Sequence, residues 1–228
     1  MPDPNLPLLE DAVRKLAPFL NEIVFVGGIT LGLLITDEGA APIRGTTDVD
    51  VIAEIVTYAD YVAFSERLRE AHFTEDTGEK ALTCRWHNRT LTLDVLALNK
   101  EVLGFTNIWY EPALRNASTV TLPGGQSIRV ITAPFFLGTK IEAFRGRGKM
   151  DFQASHDLED FVAVVEGRDT LLLEIAEAPS ALREYLAEAA KTLLAEPRFL
   201  DVLPGFVLDS DRVPLIQERL ASIAAGNP

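Results

Sequence analysis

Apolar residues at Leu9, Val13, Leu16 and Leu20 recur at helical spacing and predict an amphipathic helix near the start of the chain. The apolar run after it predicts a strand over 22–26. Residues 31–35 read as a short buried helix closed by Asp37-Glu38-Gly39, and 40–47, with Pro42, as a loop. Over 48–53 the pattern changes to alternation, Asp-Val-Asp-Val, the mark of a strand with one apolar and one polar face. Tyr61, Phe64, Leu68 and Ala71 mark another helix. Two runs flanking His87-Asn88, over 81–86 and 89–98, predict a hairpin. Thr90, Thr92 and Asp94 share one face of its second strand, with Leu91, Leu93 and Val95 on the other. Short strands return over 120–131 around Pro123-Gly124-Gly125, a turn by its chemistry.

Beyond Thr132 the pattern becomes helical, with helices predicted over 134–144, 156–166, 171–176, 181–194 and 213–223. A mixed first half and a helical second half predict an α/β (α+β) chain: a small mixed-sheet core over 1–131 followed by a C-terminal helical module over 132–228. The module is expected to complete the cleft of the core. At 228 residues the chain is long enough for this division.

Charge narrows the partners. With 34 acidic and 21 basic side chains, the net charge of −13 argues against wholesale coating of nucleic acid, though a local basic patch remains compatible with it. Arg145-Gly146-Arg147-Gly148-Lys149 is such a patch, suited to a triphosphate or an RNA backbone. The single cysteine, Cys84, has no partner for an intramolecular disulfide and reads as an inert structural thiol in a reducing compartment. The amino-terminal residues lack the basic-then-apolar order of a signal peptide, and the longest uncharged run, 23–36, is too short to span a bilayer. A cytoplasmic chain with no membrane partner is expected.

The chemistry concentrates at two places. Asp48 and Asp50 point to the same side of their strand, a poor electrostatic arrangement unless water or a cation lies between the oxygens. Upstream, Gly27-Gly28 at a strand-to-helix junction suits the close approach of an anion to the backbone. Metal beside phosphate is the geometry of nucleotidyl transfer. In the helical half, Lys140 interrupts the apolar stripe of Phe136 and Phe144, where it either snorkels or meets an anion. Asp157 and Asp160 are neighbours on a helix surface, where they either complement the dipole or carry chemistry. His72, His87 and His156 lack zinc-ligand spacing, and no Walker-type loop is present.

Gly27-Gly28, then Arg44-x-Thr46-x-Asp48-x-Asp50, then Leu93-Asp94-Val95, then Lys140, then Asp157-x-x-Asp160 resembles the nucleotidyltransferase-like toxins of the abortive-infection AbiE type. The resemblance implies a DNA-polymerase-β-like nucleotidyltransferase fold and a magnesium-dependent enzyme. It implies transfer of a nucleoside monophosphate from a nucleoside triphosphate to an RNA (tRNA-like) or protein acceptor, and a cognate antitoxin partner. On that resemblance Asp48, Asp50 and Asp94 hold two magnesium ions. Gly27, Gly28 and Thr30 hold the triphosphate, with Arg44, Thr46, Lys140, Arg147 and Asp160 completing the nucleotide site and Asp157 orienting Lys140 or the sugar. The chain departs from the pattern at Gly28, where many relatives carry serine, and at His156, where a basic residue is commonplace. Two other classes share these motifs: an antibiotic-modifying small-molecule nucleotidyltransferase, and an inactive nucleotide-binding interaction module.

Overall fold

A computed structural model describes residues 3–78, 82–146 and 150–226. They divide into two compact units: 3–32 with 44–132, and 33–43 with 133 to the end of the described residues. Residues 33–43 cluster with the helices, not with the sheet that flanks them in sequence.

The first unit holds a mixed seven-stranded sheet: β1 (Ile23–Val26), β2 (Asp48–Ala53), β3 (Thr74–Glu75), β4 (Arg85–Asn88), β5 (Leu91–Leu96), β6 (Ser118–Thr121) and β7 (Ser127–Val130). Their order is β3-β4-β5-β2-β1-β7-β6. β1 and β2 are antiparallel, whereas β2 runs parallel to β5 and β1 runs parallel to β7. Every residue of β1 is buried, as its unbroken apolar sequence requires. β2 alternates as expected, with Val49 and Val51 fully buried and Asp48 and Asp50 half-buried.

Helix α1 (Leu6–Lys15) precedes β1, and α2 (Leu31–Leu34), α3 (Tyr58–Glu70), α4 (Lys100–Leu103) and α5 (Tyr110–Arg115) lie between strands. α1 is shorter than its apolar spacing predicts. Pro18 lacks the N–H that an α-helix would use there, so the chain passes into a 3-10 turn, Ala17–Phe19, which still buries Leu16 and Phe19. α3 begins with a capping box, in which the Asp60 N–H donates to the Thr57 hydroxyl and the Thr57 N–H to the Asp60 carboxylate.

The hairpin differs from expectation in register. Its turn is Arg89-Thr90, with Arg89 left-handed at φ +56°, and Asn88 pairs with Leu91. Trp86 is fully buried opposite Leu93, which turns Arg85 and His87 to the other side of the sheet.

The second unit is helical: α6 (Ala133–Arg145), α7 (His156–Gly167), α8 (Leu171–Glu177), α9 (Ser180–Leu194), α10 (Pro197–Val202) and α11 (Val213–Ala224). α6 packs on α7, and α9 on α11. Glu166, fully buried, is neutralised by Arg212, which donates to it from Nε and to Asp37 from Nη2. Among the described residues no helix is long and apolar enough to cross a membrane.

Candidate active site

The strand register gathers the acidic residues of the first unit. Asp50 on β2 stands beside Asp94 on the parallel strand β5, and Asp94 stands opposite Arg85 on the antiparallel strand β4. One pleat position away, Asp48, Thr92 and His87 form a second row on the same face. Three strands therefore present a polar face, while Val49, Val51, Trp86, Leu93 and Val95 form the core on the opposite face.

Asp94 is not solvated like its neighbours. Its side chain is only 8% exposed, and Arg85 grips both of its oxygens, from Nε at 2.8 Å and Nη2 at 2.7 Å. The same Nη2 reaches Asp48 Oδ2 at 3.1 Å. The hydrogen bonds to Asp94 chiefly hold the Arg85 guanidinium well above its ordinary range, so it is a permanent cation. The other Asp48 oxygen, Oδ1, accepts from the Thr46 hydroxyl at 2.9 Å, which makes Thr46 a positioner of the carboxylate.

Gly27 follows β1 and adopts φ +71°. A Cβ placed there would lie 2.1 Å from Asp50 Oδ2, so the absence of a side chain is what lets the backbone lie against that carboxylate. Thr30 is fully buried, and its hydroxyl donates to the Gly27 carbonyl at 2.9 Å, fixing the turn from beneath.

Asn5, which carries no pattern in the sequence, ties these segments together. It is 1% exposed and uses both ends of its amide. Nδ2 donates to the carbonyls of Gly28 at 3.3 Å and Arg44 at 3.2 Å, and Oδ1 accepts from the Thr46 N–H at 2.8 Å. The glycine turn and the loop entering β2 are thus joined by one side chain.

Cys84 is buried just before Arg85. Burial first, then the charges of Asp94 and Asp50, pushes its thiol up to about 12. It stays protonated and unreactive at neutral pH.

The second unit holds the remaining sequence candidates. Lys140 on α6 is 8% exposed and donates to Asp157 Oδ1 at 3.1 Å and Asp160 Oδ2 at 2.6 Å, both on α7. Its ammonium lies 5.5 Å from the centre of the Phe136 ring. Ser155 caps α7 by accepting from the Leu158 N–H, and His156 contacts Glu159. Arg147 lies outside the described residues.

No protein-family model matches the chain, and no curated protein matches it. Among solved structures it is similar to JHP933 from Helicobacter pylori, with a TM-score of 0.50 and 15% identity over 97% of this chain and 90% of that one. It is also similar to a provisionally assigned nucleotidyltransferase from H. pylori, with a TM-score of 0.48 and 13% identity over 98% of this chain and 94% of that one. At such identities the likeness to JHP933 is one of fold alone.

Proposed function

We propose that the chain is a magnesium-dependent nucleotidyltransferase that moves a nucleoside monophosphate from a nucleoside triphosphate to an RNA or protein acceptor. In this reading it is the toxin of a toxin–antitoxin pair. The observation that carries the reading is the placement of Asp50 beside Asp94 in register, with Asp48 on the same face and the glycine turn pressed against Asp50.

The donor chemistry fits magnesium at two of the three carboxylates. Asp48 and Asp50 are half-buried oxygen ligands on one face of β2, as a hard divalent ion prefers. Asp94 fits less well, because one guanidinium grips both of its oxygens and its side chain is 8% exposed, whereas Asp48 is 34% exposed and meets Arg85 through one oxygen only. Bound magnesium would supply the positive charge that offsets the phosphate oxygens.

The chain's own residues divide the remaining work. Gly27 lies against the Asp50 carboxylate without side-chain bulk, and the triphosphate tail would lie along the turn that it and Gly28 begin. Arg44, whose main-chain carbonyl Asn5 anchors, would be the cation that meets those phosphates. Thr46 holds the Asp48 carboxylate in one orientation. In the transfer itself the acceptor hydroxyl bonds to the α-phosphorus, its proton passes to water, and the bond to the β-phosphate oxygen breaks to release pyrophosphate. Lys140, buried between two carboxylates, serves in this reading to lock α6 to α7.

The test is incubation of the chain with α-labelled nucleoside triphosphates and magnesium, offered tRNA, a protein lysate and an aminoglycoside panel. Label on RNA or protein that disappears in Asp50→Asn is the expected result. Label on an aminoglycoside identifies the antibiotic-modifying class instead, and nucleotide binding without pyrophosphate release identifies an inactive binding module.

A further inference from the structure

We propose that Arg85 is a built-in cation of the acidic face, taking the place at Asp94 that a second divalent ion would need, so that the site binds one ion on Asp48 and Asp50. The inference rests on the nucleotidyltransferase reading and revises its expected two-ion site.

Two observations converge on it. The first is geometric: Arg85 spans both oxygens of Asp94 and reaches Asp48, three hydrogen bonds of 2.7 to 3.1 Å from one guanidinium. A bidentate fork of this kind takes a lone pair on each Asp94 oxygen and sets a fixed positive charge against a carboxylate only 8% exposed, whereas Asp48, 34% exposed, gives the guanidinium one oxygen. Among the described residues no group of three His, Cys, Asp or Glu side chains is arranged to hold a metal ion.

The second is architectural. Arg85 is fixed by the hairpin, directly across from Asp94, and Trp86 buried next to it prevents the strand from turning over. With Arg85 26% exposed and Asp94 8%, this is not a solvated surface pair that opens freely.

The proposal is tested by titrating Mn2+ into the full-length chain and reading free ion by electron paramagnetic resonance, a measurement independent of turnover. Wild type is expected to take up one equivalent. Asp94→Asn should leave that uptake within about threefold in affinity, whereas Arg85→Gln should gain a second equivalent or bind the first at least tenfold more tightly. Two equivalents in wild type, one of them lost in Asp94→Asn, would overturn the inference even if Arg85→Gln failed to fold. Failure of the underlying reading looks different: wild type then takes up no Mn2+, or Asp48→Asn and Asp50→Asn both bind as wild type does.

Discussion

Gly27 concentrates two requirements in one position. Its φ of +71° disfavours any side chain, and a Cβ would strike the Asp50 carboxylate. Gly27→Ala should cost about 1–3 kcal/mol in urea unfolding and reduce nucleotidyl transfer at least tenfold. Asn5→Ala removes three hydrogen bonds, to the buried Gly28 carbonyl and to the half-buried Arg44 carbonyl and Thr46 N–H. A loss of about 1–3 kcal/mol is expected by the same measurement. Asn5 gave no signal in the sequence because a lone asparagine before a helix reads as a cap. Its actual partners lie 23 to 41 positions away, beyond any local pattern. Asp48 and Asp50 were legible for the opposite reason, since alternation with Val49 and Val51 is a local rule that burial enforces.

At the scale of elements, the hairpin shows how register decides chemistry. A turn at His87-Asn88 would set position 81 across from Asp94; the turn at Arg89-Thr90 sets Arg85 there. The displaced turn keeps the same residues on the same faces, so hydrophobic alternation does not distinguish the two. The signal that does is Trp86, whose burial against Leu93 selects the observed pairing. Arg89 adopts a left-handed conformation in that turn, so Arg89→Gly should raise stability by about 0.5–1 kcal/mol in thermal or urea unfolding. Cys84, at the entry to β4, is buried and held protonated, so it should resist alkylation at pH 8 in the folded chain and react fully in denaturant. Alkylation of the native protein at the rate of a free thiol would contradict its burial. α1 ends early because Pro18 overrides an apolar spacing that continues through Leu20.

For the whole molecule, the sheet-plus-helices class was legible because its two halves differ in hydrophobic period. The assignment of 33–43 to the helical unit was not, because that grouping depends on pairing across the chain. There, the N–H groups of Thr36 and Asp37 donate to the Gly167 carbonyl. Ion pairs also set the response to acid. Arg212 holds the Asp37 carboxyl below its usual range, Arg67 does the same for Glu22, and Lys15 for Asp11. These groups ionise lower in the folded than in the unfolded chain, so the unfolded chain binds more protons as acid is added. Their stabilisation is present above their ordinary values of 3.8 and 4.5 and is lost as pH falls through the lowered ones. The melting temperature should therefore be flat from pH 7 to about 5 and fall below about pH 4.5.

The central claim is that the face built from Asp48, Asp50 and the Gly27 turn receives a magnesium-bound nucleoside triphosphate. Isothermal titration calorimetry of the wild-type chain and Asp50→Asn with each of the four magnesium nucleoside triphosphates tests it most directly. The account predicts one nucleotide per chain and an affinity at least tenfold weaker in the variant; equal affinity in the two proteins, or no binding to wild type, would contradict it.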